Sequence, residues 1–268
     1  MRSRTHAAVV ALLGSWFPLI SPAAVGLVTL RQGTRDGSLL LLWAVLPALG
    51  ALVIGHVGLL MPMITIAGVI AVLAASWLLR QSISWVPALM ALVFVSGSSA
   101  LLVAVLVPQP AQELAEVAGV KLSQSGSDAD LKVFILGWVA TALAISSLAS
   151  LVLARWWQAM LYNPGGFQQE FQGIRLGMKE VLICMATSGY CIARGQGYEA
   201  WGMLLLLPAI IAGIAFVHFM VQHRKLGTPW LVIFYVMLIL TFPLSALILA
   251  IIALTDTWFD WRKRLGAS

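Results

Sequence analysis

The chain predicts an all-α fold, a polytopic transmembrane bundle of about eight or nine membrane segments with a short interfacial helix after a break at 163–166. Three observations predict it. Hydrophobic residues make up 61% of the chain and charged residues only 10%, with a mean hydropathy of +0.97, whereas soluble domains carry about 25% charged residues. Several apolar runs reach the roughly 20 residues that carry a helix across about 30 Å of hydrocarbon. The alternating segments of about ten residues that would mark a membrane barrel do not occur.

The first run, 7–30, is split by Phe17-Pro-Leu-Ile-Ser-Pro22. Two prolines near its middle predict a broken helix or a short hairpin, and its continuation into further spans predicts a retained segment instead of a cleaved leader. Arg31 to Gly37 is a turn with two cations. Runs follow at 38–60, 61–79 and 85–108, jointed near Pro62 and at Arg80-Gln81-Ser82. The longest polar loop is 109–130, carrying Glu113, Glu116, Asp128, Asp130 and a Ser-Gln-Ser-Gly-Ser tract. Run 131–154 ends on Arg155, Trp156 and Trp157, a cation and indoles suited to the headgroup layer. Asn163-Pro164-Gly165-Gly166 then removes a backbone donor and turns the chain. Phe167, Phe171 and Ile174 fall at i, i+4 and i+7, which makes 155–177 an interfacial segment. The last runs are 179–193, 201–222 and 229–254, before the cluster Arg262-Lys-Arg264.

A formal charge of +6 with 16 Lys and Arg reads as topology signals and contact with anionic lipid. The bilayer is the expected partner. Nucleic acid is not, since no polar stretch is long enough for a binding domain. With the acidic loop outside, the cations at 31–37, 80, 155–179 and 223–228 lie inside. That orientation is the one expected in a bacterial inner (cytoplasmic) membrane. If every run crosses once, however, both Arg2/Arg4 and the Arg262-Lys-Arg264 cluster fall outside; a short hairpin at 7–30 brings the N-terminus inside and leaves the side of the C-terminal cluster open.

Chemistry-bearing groups are sparse. Cys184 and Cys191 lie about 10 Å apart along a helix, beyond disulfide reach, and read as buried thiols. His218 and His223 diverge by roughly 140° and cannot chelate one ion. His56 and His218 read as neutral histidines, each with one backbone partner. Nucleotide-binding, hydrolase and metalloprotease signatures are missing, so neither an enzyme nor a cofactor or metal is expected. The short run around 179–193 leaves two readings open. Glu180, Thr187, Ser188, Tyr190, Arg194 and Glu199 line a polar ligand pocket, or Arg194-Gly-Gln-Gly197 is a tight external turn with headgroup-level charges. Ala7 and Ala11 have the four-residue spacing of close helix association, and Phe167 with Phe171 offers a docking face. Trp156, Trp157, Trp201, Trp230, Trp258 and Trp261 sit at run ends, as an interfacial belt does.

Three stretches, Leu27–Gly37, Ala154–Phe171 and Asp256–Arg264, resemble the YybS-like family of bacterial multi-pass membrane proteins. The residues that carry the likeness are Arg31, Gly33, Arg155, Trp157, Asn163, Pro164, Gly165, Phe167, Glu170, Phe171, Asp256, Asp260 and Arg262. That family is distantly similar to the substrate-binding components of energy-coupling-factor transporters. By that likeness, Ala7 and Ala11 would dock on a coupling subunit, and the partners would be other membrane subunits or a coupling ATPase complex. The chain departs from those components in carrying more apolar runs. The resemblance implies a small-solute-binding transport subunit without its own ATPase. The alternative is a non-transporting membrane scaffold of an envelope or assembly complex, with 155–177 as its platform.

Overall fold

In a computed structural model, which describes residues 9–12, 14, 19–54, 58–107, 109–110, 112–114 and 128–266, every described element is helical. Five helices are long and apolar enough to cross a membrane: α2 (Thr34–Ile54), α3 (Leu60–Ser82), α4 (Trp85–Leu106), α5 (Asp128–Tyr162) and α8 (Glu199–His223). The chain is a multi-pass membrane protein. Among the described residues five helices have that length, and a count of eight or nine membrane segments is not confirmed: the remaining apolar runs fold as shorter pieces, α1 (Ile20–Gln32), α7 (Met178–Arg194), α9 (Thr228–Leu240) and α10 (Leu244–Phe259). The stubs α6 (Gly166–Gln172) and α11 (Trp261–Gly266) complete the described set.

The short helix α1 is the axis of the N-terminal half. Every residue from Ala23 to Leu30 is buried, as expected of a helix that is apolar all round. It packs against α2, α3 and α5. Gly26 makes this fit possible: a Cβ there would meet Val72, Ser76 and Ala154 at 3.0–3.1 Å. At about 20 Å, α1 is shorter than about 30 Å of hydrocarbon. Its C-terminal carbonyls are covered by Arg80, which donates to Leu30 O at 2.9 Å. Arg31 reaches the Tyr162 hydroxyl and lies 4.4 Å from that ring's centre. The helix therefore ends at one pole of the bundle, where Gly33 takes φ +105. Its other end lies within the bundle.

The second half is built on α8, which contacts α7 and α10 on one side and α5 and α4 on the other. Gly213 sets the α8–α10 distance, because a Cβ there would sit 2.3 Å from Leu249 O. The run expected to cross once at 229–254 is instead two helices joined at Thr241–Pro243. α10 spans about 24 Å, and its C-terminal end is bonded to the segment before α7, where Thr257 Oγ1 donates to Leu176 O at 3.0 Å. Both ends of the α9–α10 hairpin thus lie at the pole that holds the end of α1. This corrects the single-span reading and removes the charge conflict. Arg31, Arg35, Arg80, Arg155, Arg175, Lys179, Arg224, Lys225, Arg262, Lys263 and Arg264 gather at this pole, against Lys132 and Arg194 at the other.

Helix α5 corrects another boundary. It continues unbroken through Arg155 to Tyr162, so only 163–177 leaves the long helix. Trp201 is not a belt residue either: its indole donates to Val133 O at 3.0 Å across the α5–α8 contact. Cys184 and Cys191 are free thiols. His56 lies outside the described residues.

Two outcomes are expected. Single cysteines at Lys225 and Lys263 should be labelled from the same side by an impermeant maleimide, and one at Gln196 from the opposite side. Gly213→Val should lower stability by about 1–3 kcal/mol or more through overpacking, read as the loss of thermal midpoint in detergent.

Candidate functional site

The cationic pole is organised by two arginine–carboxylate knots. Asn163 and Gly165, the latter at φ +84, turn the chain after α5, and Gly166 N donates back to Asn163 O at 3.0 Å. Pro164 lies within that turn. α6 then folds across the pole. Arg155 pairs with Glu170, whose Oε1 also accepts from Trp85 Nε1 at 2.9 Å. Phe167 lies 6.2 Å from Trp85 and 5.9 Å from Phe171, which contacts His218 at 5.2 Å. Ile174 is buried. The apolar face of α6 therefore rests on α4 and α8, not flat on lipid, and Phe167 and Phe171 are engaged by the chain's own rings. Trp157 is half-buried against the same core.

The second knot fastens the C-terminus. Asp256 is only 1% exposed; Arg262 pairs with it at 3.0 Å and Arg175 approaches it at 3.9 Å. Arg262 also donates to Gln172 O and Ile174 O, while Arg175 pairs with Asp260 and donates to Asp256 O at 2.9 Å. Burial pulls the Arg262 guanidinium below its ordinary value, opposed by Asp256. Hydrogen bonding to Lys263, aided by Arg175, holds the Asp260 carboxyl below the usual carboxylate range. Asp260 therefore stabilises the fold above its unfolded value near 4. That contribution fades as pH falls through the lower folded value. These groups pair with one another as a structural clasp, in which Asp256 Oδ2 takes the ion pairs and Asp256 Oδ1 has no hydrogen-bond partner.

The polar residues expected to converge between Glu180 and Glu199 do not. Glu180 begins α7 at the cationic pole, beside Gly177. Arg194 lies about 21 Å further along the helix axis, and Glu199 opens α8 at the opposite pole. Thr187 donates to its own helix at Ile183 O, 2.7 Å away. Tyr190 is 67% exposed, and Ser188 is buried near Gly202. Ala7 is outside the described residues, and Ala11 is fully buried among Ala24, Val25 and Val28, covered by the chain itself.

What the structure does bring together lies at the N-terminus of α1. A cavity of about 190 Å³ is lined by Ser21 and Pro22 of α1, Ala44 of α2, Ile64, Thr65, Gly68 and Val69 of α3, and Leu143, Ser146, Ser147 and Ser150 of α5. Ser21 is eleven residues before Gln32, which places it about 17 Å from the cationic pole, near mid-depth. Thr65, Ser146 and Ser150 bond to their own helices at Met61 O, Leu143 O and Ser146 O. Ser21 and Ser147 are 3% and 2% exposed, and their hydroxyls have no partner. Each such group costs about 1–3 kcal/mol. Leu19 gives α1 no side-chain cap, and Pro22 has no amide to donate. Donors are thus concentrated in an otherwise apolar layer.

Among the described residues no Lys, Arg, His, Asp or Glu lines this cavity. A carboxylate taken out of water costs several kcal/mol, against about 0.3–1 kcal/mol returned by a helix terminus, about 2 at best. The arrangement suits a neutral ligand with acceptor oxygens. The residues that signal it are Ser21 beside Pro22 and the Ser146-Ser147-x-x-Ser150 spacing. Both stand inside apolar runs and were overshadowed by the charged residues of α7.

The fold and this cavity define a multi-pass helical membrane protein with a hydroxyl-lined hollow at mid-depth. Comparison with protein-family models, with curated proteins and with solved structures returns no match.

Arg262→Ala, which strands the buried Asp256, should cost about 3–5 kcal/mol and release the C-terminal stub to limited proteolysis. Asp256→Asn combined with Arg262→Gln should recover part of that loss.

Proposed function

We propose that this chain is a solute-binding membrane protein, a transport or uptake subunit without its own ATPase, that holds a small polar ligand in the serine-lined cavity. The single observation that carries the reading is the pair of buried, unpartnered hydroxyls, Ser21 and Ser147, lining a hollow where a short helix begins at mid-depth. Interrupted helices with polar groups at mid-membrane are the usual construction of transporter binding sites. The likeness to the YybS-like family belongs to the same reading, as does a bacterial cytoplasmic membrane with the cationic pole in the cytosol, by the positive-inside rule. In that arrangement α2, α3, α4, α5 and α8 cross fully, the shorter α7 carries the chain from the cationic pole to the opposite one, α1 descends from the cavity, and α9–α10 forms a hairpin returning to the cytosol. Energy would come from a partner ATPase or an ion gradient. The scaffold reading relied on Phe167 and Phe171 as a docking face, and both rings are packed on Trp85 and His218.

Thermal-shift screening of the purified protein against vitamins, nucleosides, polyols and lipid precursors tests the reading. At least one compound should stabilise it, by about 2.7 kcal/mol at a hundred times its Kd. Ser147→Ala should weaken that compound about tenfold. Gly68→Val, which pushes into Leu143 and the space beside Ser147, should abolish its effect. No stabilisation by any compound, or stabilisation indifferent to Gly68→Val, would overturn the reading.

A further inference from the structure

We infer that the ligand is a neutral single-chain amphiphile, its oxygen-bearing head between Ser21 and Ser147 and its hydrocarbon tail in a neighbouring apolar groove. This rests on the solute-binding reading and names the class of solute.

The serine cavity adjoins a second hollow across a shared wall. This hollow, of about 180 Å³, lies between α3, α4 and α5, and Ile64 and Leu143 belong to the walls of both. The second hollow is walled by Ile66, Ile70, Ala100 and Val103 among others. Its hydroxyl, Ser99, is already bonded to Val95 O at 2.6 Å. One chamber offers unpartnered donors and the other only hydrocarbon, with two side chains between them. A ligand that fills both must carry a compact acceptor at one end and an apolar chain at the other.

Head charge is settled by what surrounds it. Among the described residues no side chain of either lining is charged, and a helix terminus alone does not offset the desolvation of an ion. Hydroxyl donors suit an ester, an alcohol or a polyol oxygen. An ordinary bilayer lipid keeps its head at the interface, so a head held at mid-depth distinguishes this ligand from lipid that merely coats the protein.

The test uses the full chain in phosphatidylcholine nanodiscs and a ten-carbon monoacylglycerol carrying a diazirine at the tail end. Crosslinks mapped by mass spectrometry should fall on Ile66–Ile70 and Ala100–Val103. Unlabelled monodecanoylglycerol should compete, whereas glycerol and the permanently charged decyl sulfate should not. Ser147→Ala should cut labelling at least fivefold, with Ser147→Cys as a second variant should the first fail to give a monodisperse protein. Ala100→Trp should remove it. Labelling that ignores the Ser147 variants, or that is absent, overturns the inference, and equal competition by decyl sulfate overturns the neutral head. If head-only solutes stabilise the protein through Ser147 while the tailed probe does not label the groove, the solute-binding reading stands and the amphiphile falls. If neither binds, both fall.

Discussion

A helix that begins inside hydrocarbon must satisfy its first amides without water, and the rest of this structure follows from that constraint on α1. Burial on every side from Ala23 to Leu30 fixes α1 between α2, α3 and α5. Its cationic end is closed by Arg80 and Arg31. At the other end Leu19 makes no side-chain cap. Serines from α1 and α5 gather there around a hollow, and two of them bring donors without acceptors. A gap at that depth would ordinarily be filled by a leucine, whose burial contributes about 1.5–3 kcal/mol. Keeping hydroxyls and space in its place is a cost to folding that a bound ligand can offset.

The clasp at the cationic pole serves this arrangement indirectly. Helices of about 20–25 Å, such as α9 and α10, are too short to be held by depth in the bilayer alone. Asp256, Arg262, Arg175 and Asp260 fasten the end of α10 to the 173–177 segment. Gly213 lets the same helix press against α8. Arg155, Glu170 and Trp85 fix α6 over the ends of α4 and α5. These ion pairs lie where water reaches one side, so their desolvation is partial and several donors share each carboxylate.

Much of the architecture was legible because hydrophobic length is a strong signal: the five full-length helices each cover a run visible in the sequence. The clasp was half legible. Arg155, Glu170, Asp256, Asp260 and Arg262 stood out as motif residues, yet sequence spacing does not show that Arg175 and Asp260, 85 positions apart, would meet. The 229–254 run was misread as one span because Phe242-Pro243 interrupts a stretch that is apolar on both sides, and hydropathy does not register a reversal of direction. The α7 pocket was misread for a different reason. Polar residues close in sequence spread along a helix axis at about 1.5 Å each, so nearness in the chain became distance in space.

The serine cavity shows the converse. Ser21 and Ser147 are 126 positions apart, and each alone is an unremarkable small residue in a membrane helix, where serine commonly bonds back to its own backbone. Ser146, Ser150 and Thr65 do so. What sets Ser21 and Ser147 apart from these three is that their hydroxyls are buried without a hydrogen-bond partner, as those of Ser76 and Ser96 are, and that they line the same cavity. That property belongs to neither residue type nor spacing; it arises only once α1 is inserted between α3 and α5. A function assigned from polar residues in the sequence therefore looks first to charged groups, which here are consumed by topology and clasping. The chemistry left for a ligand is the weaker kind, neutral donors on buried walls, where a single hydrogen bond discriminates more sharply than it would at an exposed surface.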